Sequence, residues 1–338
     1  MRIGWAAIRG NPLSCPRRTV RGVRFGECRR IADASMPPGF VSSKGHVHFG
    51  YLLGCYRMRR TLASMALAYL IVSITSQDAW SGHKAPSAAG TVRVEYRKPT
   101  NPAHEALYVE MRERGILERF ATVLSVFHLP RALTLAFASC GGDSNAWYDP
   151  ETTTVFFCYE YLADIRRLAA SENRGEVSLT DASDGPAGFI MLHESGHAVF
   201  DLLKVPILGR EEDAADTFAA VILLRLGQGL ALRTIRGAAW AYAQGAAART
   251  PDEGDFADAH GLDAQRYYNI VCLAYGSDPT FFASVVTDRH LPADRAESCT
   301  DEYHQALLAV QKLILPSVSA EKLQRLRIKY KKDLERRE

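Results

Sequence analysis

The sequence predicts an α+β domain, with a small N-terminal sheet, a mainly helical half after it, and a cleft between the two. Three observations carry this. Strand-like segments bounded by turn residues cluster before residue 160. Beyond residue 188, apolar residues recur at helical spacing. The chain has 338 residues, 47% of them hydrophobic and 23% charged, which is enough to bury a core.

The elements follow in order. TVRVEY alternates and reads as a first strand, closed by Lys98 and Pro99. Residues 102–127 carry Leu107, Val109, Met111, Ile116, Leu117, Phe120 and Val123 at helical spacing and predict one helix. RALTLAFAS (131–139) is a second strand, CGGDSNAWYDPET a turn-rich loop, and TTVFFC (153–158) a third strand. YEYLADIRRLAA predicts a helix, and residues 171–188 a polar loop. Helices are expected at 211–226, 230–244, 262–275 (stopped by Gly276) and 294–315. The last 18 residues hold eight Lys/Arg and four acids and read as a solvated or frayed helix.

Charge is unevenly distributed. Residues 1–57 carry ten Lys/Arg against two acids, whereas residues 83–338 carry 29 Lys/Arg against 35 Asp/Glu. A mildly acidic body argues against nucleic acid as the partner. At the junction, Met58-Arg59-Arg60 precedes an uncharged, largely apolar run from Thr61 to Ile74 and a small-residue exit at Ala79 and Ser81. This reads as a secretory signal peptide over residues 58–82, too short to span a bilayer comfortably, with an uncleaved anchor as the alternative. Residues 1–57 are then a dubious extension, 83–316 the folded domain and 317–338 a charged tail. The mature protein is expected to be secreted or periplasmic, with no stable membrane span.

Four cysteines lie in the mature chain: Cys140, Cys158, Cys272 and Cys299. Four allow three pairings. Local spacing favours Cys140–Cys158, which flank a hairpin, and Cys272–Cys299.

The chemistry concentrates in FIMLHESGHAVFD, residues 189–201. On a helix, His193 and His197 project from one face a turn apart and can aim both imidazoles at one ion. Glu194 points about 100° away, outside the ligand sphere but within reach of a metal-bound water. The apolar flanks predict a buried helix, and small Ser195 and Gly196 admit close packing. Catalytic zinc needs a third protein ligand. No histidine follows at metzincin spacing. Glu212 and Asp216 instead share a face of the next helix: Glu212 is the candidate ligand, and Asp216 the acceptor for the far N–H of a ligand histidine. Asp213 is the alternative ligand. Glu211 and Asp213 otherwise serve the helix dipole. Asp201, a turn beyond His197, could support its imidazole.

His193, Glu194, His197, Glu212 and Asp216 together resemble the glutamate-type (thermolysin-like) zincins, although the segment between His197 and Glu212 is shorter than in thermolysin. NAWYDP, CYE, HESGHAVFD and VPILGREEDAAD resemble a family of bacterial metallopeptidases of unknown function over about Val92 to Pro316. The resemblance implies a zincin-like fold and one catalytic Zn2+. His260-Gly261 with Gln265-Arg266 is similar to the HG-x-x-x-QR segment of some neutral zinc metallopeptidases, making His260 a candidate oxyanion donor. The bland roles are a helix cap for His260 and an ion pair with Asp263 for Arg266. TTVFFC could pair with an extended substrate, bordered by Asn145, Trp147 and Tyr148.

The expected function is hydrolysis of a peptide or protein by a metal-activated water, with Glu194 as base. A zinc amidase acting on cell-wall peptides and a non-catalytic binding module on the same scaffold are the alternatives.

Overall fold

The strands differ according to how many of their faces are covered. VRVEY alternates half-buried and exposed residues in β1 (Val92–Tyr96), at one edge of the sheet. LTLAFA in β2 (Leu133–Ala138) and TVFFC in β4 (Thr154–Cys158) are almost continuously buried, as central strands covered on both faces should be. β3 (Ala146–Asp149) completes the order β1-β2-β4-β3. The first three strands in that order are parallel, and β3 runs antiparallel to β4 with Ala146 opposite Phe157. The computed structural model describes residues 90–335. The expected extension and signal peptide lie outside the described residues.

Two expectations change here. The segment read as a loop contains β3, because AWYD finds a hairpin partner that its short length could not announce. TTVFFC is enclosed by β2 and β3, so it has no free edge for a substrate; β3 is the edge strand on that side.

The helix expected over residues 102–127 is split. After a 3-10 turn (Pro102–His104), α1 (Glu105–Glu113) and α2 (Ile116–Leu124) are separated by Gly115 at φ 58°, a left-handed conformation that ends the first helix. α3 spans Tyr159–Ser171. The polar stretch 171–188 is only partly loop, since α4 runs from Leu179 to Leu203. Ser178 caps it by accepting a hydrogen bond from the Asp181 N–H at 3.0 Å. Pro186 is buried within this helix.

Tertiary contact overrides the local signals. α5 (Glu211–Leu226) and α6 (Gln228–Ala248) follow, and α6 crosses α4 at two glycines. A Cβ on Gly237 would lie 1.9 Å from the Asp181 carbonyl oxygen, and one on Gly185 would lie 2.8 Å from the Gly237 Cα. Asp181, polar in the sequence, is buried and paired with Arg236.

α7 (Glu253–Ala257) and α8 (Asp263–Ser277) come next, then short α9 (Ser284–Thr287) and α10 (Ala293–Ala296), then α11 (Cys299–Ala309). The single helix expected over 294–315 is therefore broken at Glu297 and Ser298, just before Cys299, which is bridged to Cys272. Gly276 lies inside α8 and does not stop it. A Cβ there would sit 2.0 Å from the Cys299 carbonyl oxygen, so its role is close packing. The second bridge, Cys140–Cys158, ties the hairpin.

The tail is docked at its root. Residues 317–319 bond to 126–128, and Leu326 of α12 (Ala320–Glu335) is buried. Among the described residues no helix is long and apolar enough to cross a membrane.

Two apolar clusters meet on α4. Met191, Val199 and Leu202 pack with the sheet, α1, α2 and α3. Phe189 and Leu192 pack with α5, α6, α8 and α11. Each such side chain contributes about 1.5–3 kcal/mol on burial. α4 is thus the shared wall between sheet and helices, as the predicted α+β division requires.

Two predictions follow from this packing. Gly237→Ala should destabilise the domain by about 1–3 kcal/mol, read from chemical denaturation, because the new methyl meets backbone. An unchanged midpoint would overturn the contact between α4 and α6. Glu110 accepts from Arg166 at 2.5 and 2.6 Å and from Arg114 at 2.9 Å. These guanidiniums, Arg166 foremost, pull its pKa from an ordinary 4.5 to about 2. A depressed carboxylate pKa stabilises the fold above its unfolded value, and the benefit is lost as pH falls towards the folded value. Glu110→Gln should therefore cost up to about 1 kcal/mol at pH 7, given the pair's partial exposure. The gap between the variants should close from pH 4.5 to pH 2; a gap as wide at pH 2 would refute the assignment.

Candidate metal centre

Because α4 is helical through the HESGH segment, both histidines emerge on one face, with ring centroids 4.9 Å apart. α5 supplies the third group. The approach of α5 needs Gly196, where a Cβ would stand 3.1 Å from Phe218 and 3.4 Å from the Ala215 Cα. This accounts for a glycine inside a buried helix, where it is intrinsically unfavourable. Ser195 is silent towards the site and bonds back to the Met191 carbonyl at 2.7 Å.

The structure brings His193, His197 and Glu212 together. His193 Nε2 lies 3.1 Å and His197 Nε2 3.3 Å from Glu212 Oε2, and the two Nε2 atoms are 3.3 Å apart. Asp213, the other candidate, does not join them; it lines a separate cavity with Gly261. On the far side of each ring a carboxylate fixes the tautomer. His193 Nδ1 donates to Asp216 Oδ1 at 2.8 Å, and His197 Nδ1 donates to Glu211 Oε1 at 2.8 Å. With Nδ1 engaged on its far side, each imidazole points Nε2 at one carboxylate oxygen, as an N–H donor when the ring is protonated and as a ligand atom when it is neutral.

These three donor atoms can hold a cation between them. The carboxylates around them also draw protons onto the rings. Burial disfavours charge on His193, yet Asp216 and Glu212 outweigh it and raise the pKa. Burial likewise opposes charge on His197, and Glu212 with Glu211 still pushes it up to about 9. Glu212 would be raised by burial, but its bonds to His193, His197 and His260 hold it far below the carboxylate range. The donor set also fits in size. Tetrahedral ligands at about 2.0–2.1 Å from zinc stand about 3.3 Å apart, close to the spacings seen here.

Glu194 is buried, with Oε1 4.0 Å from His193 Nε2. Burial raises its pKa against the pull of His193 and His197, which makes it a better base. The Tyr148 backbone N–H of β3 faces its carboxylate and also pulls the pKa down.

Asp201 does not reach His197. It accepts from the Tyr148 hydroxyl at 2.8 Å, from Arg131 at 3.3 Å and from Lys204 at 2.7 Å. It therefore ties the end of α4 to the sheet. The support expected of Asp201 comes instead from Glu211, which had been assigned only to the helix dipole. Nothing in the spacing of Glu211 signals this, because its neighbour Glu212 faces the same histidines from the next helical position.

His260 is half-exposed at the site. Its Nε2 is 2.9 Å from Glu212 Oε2, and its Nδ1 is 3.1 Å from Asp258. It does not cap α8, whose N-cap is Leu262. Arg266 grips Asp216 rather than Asp263, with two bonds of 2.8 Å, and stacks 4.5 Å over Tyr242. Arg266, Asp216 and His193 thus form one buried relay. Tyr148 packs beside the site, whereas Trp147 stacks on Phe156 and Asn145 bonds within its own hairpin.

Comparison with curated proteins and with solved structures finds no match. A family model described as "Putative metallopeptidase" matches residues 96–314, a span that contains every residue of this centre. With more than half of its length matched, the chain belongs to this metallopeptidase family.

Proposed function

We propose that the chain is an exported zinc-dependent peptidase, with zinc held by His193, His197 and Glu212. The observation that carries the reading is the convergence of three metal-donor atoms from two helices beside a buried glutamate that is not one of them. Structural sites are closed by four protein ligands, whereas three leave a position for water. Bound there, zinc supplies a water of lowered pKa and a Lewis acid for the scissile carbonyl.

Glu194 takes the proton of the attacking water and passes it to the leaving amine. Its raised pKa suits both halves of that exchange. His260 stands at the exposed side of the centre, where it can donate an N–H to the developing oxyanion. β3 carries the free edge next to Glu194, so an extended peptide adds there by main-chain pairing. Export is supported by the two disulfides and by the signal-like segment at residues 58–82.

Two measurements test this. Glu194→Gln should keep one zinc per chain and lose peptide hydrolysis, whereas Glu212→Ala should lose zinc. Wild-type turnover in the first, or full zinc in the second, would overturn the assignment. Arg266→Met should weaken zinc binding about 10–100-fold in a chelator competition, because Asp216 then no longer orients His193. Unchanged affinity in the folded variant would remove Arg266 from the relay.

A further inference from the structure

We infer that Asp263 selects a basic side chain, lysine or arginine, in the peptide that the metal centre cleaves. This rests on the hydrolysis proposed above, and it adds the substrate class.

Two cavities, of about 480 Å³ and about 450 Å³, adjoin at Asp263 and Arg266. The first is lined along α4 by Pro186, Phe189 and Ile190. These stand seven, four and three residues before His193, on the same helical face. The second reaches His260, whose Nε2 is 2.9 Å from Glu212. Together they form a trough beside the three metal donors. Ile165, Leu168, Phe189 and Ile190 give the first cavity an apolar wall that suits the alkyl stem of a long side chain.

The charges around the trough are nearly all spent. Arg266 is held by Asp216, and Arg167 by Asp164 at 3.0 Å. Arg249 is held by Asp255, and His260 bonds Asp258 and Glu212. Besides the exposed Glu172, which lines the first cavity without an ion pair among the described residues, Asp263 is the exception. Among the described residues, no hydrogen bond or ion pair reaches its carboxylate, although it is partly buried. Burial raises its pKa against the more distant pull of Arg266 and Arg249. Its place in the first turn of α8 favours the negative charge without hydrogen-bonding it.

A second polar group waits in the same cavity. Tyr242 is 9% exposed, and its buried hydroxyl has no partner. An incoming ammonium or guanidinium can donate to both the carboxylate and the hydroxyl oxygen. Gly245 holds the carboxylate in place, since a Cβ there would lie 2.0 Å from Asp263 Oδ2.

The test uses the zinc-loaded mature chain and matched peptides that carry lysine, arginine, norleucine or glutamate at one varied position. The basic peptides should be cleaved at least tenfold faster, by kcat/KM, than the norleucine peptide. In Asp263→Asn that ratio should fall to about one. Gly245→Ala, which displaces the carboxylate without removing it, should act likewise. Binding of the same peptides to the zinc-loaded Glu194→Gln chain, read by fluorescence anisotropy, separates the two claims. Cleavage with no basic preference, or a preference that survives Asp263→Asn, overturns this inference and leaves the hydrolysis standing. Basic-selective binding that depends on Asp263, without cleavage of any peptide by the wild type, supports the inference and removes the hydrolysis. Absence of any Asp263-dependent difference in binding or cleavage overturns it outright.

Discussion

Two imidazole nitrogens and a carboxylate oxygen are held within 3.1–3.3 Å of one another, and the packing that brings them together organises the rest of the molecule. Packing from two sides brings these donor atoms together. α4 is clamped between two apolar clusters, and α5 is drawn onto it at Gly196. The candidate site is therefore shaped by the same contacts that stabilise the fold.

The surrounding carboxylates divide the work. Asp216 and Glu211 each engage one ring by its Nδ1, which turns Nε2 towards Glu212. Arg266 in turn fixes Asp216 and is stacked on Tyr242, so the relay from α8 to α4 is buried along its length. Glu194 is handled differently. It sits on the helix of the two histidines and faces the Tyr148 backbone N–H of β3, which places it where the sheet edge and the helices meet. Asp201 joins the same strand from the end of α4. The two halves of the α+β fold are thus stitched together at the chemistry, with the third ligand and the relay supplied from the helical side.

Much of this was legible in the chain. The four-residue spacing of His193 and His197 implies a shared helical face, and the same spacing of Glu212 and Asp216 implies another. Both disulfide partners were readable from local spacing. What misled were segments whose composition speaks of solvent. DASDGPAG looks like a loop, yet it is a buried helical interface, because its glycine accepts the α6 backbone and its aspartate meets Arg236. AWYD looks like part of a turn, yet it is a strand, because β4 offers it a partner. Gly276 looks like a helix stop and is a contact point for Cys299.

The sequence by itself determined the kind of chemistry: which residues could be ligands, which glutamate could be the base, and that a sheet would precede the helices. These follow from short-range periodicity, which a single chain carries in full. Tertiary structure alone decided which carboxylate serves which histidine. Glu212 and Asp213 are adjacent acids on one helix, and Glu211 and Asp201 are both near His197 in sequence. The choice among them depends on the rotation of α5 against α4, which is set by Gly196, Ala215 and Phe218 meeting in the core. Only that contact turns the first of the three acids towards Nδ1 of His197 and the second towards both Nε2 atoms, while the third faces away.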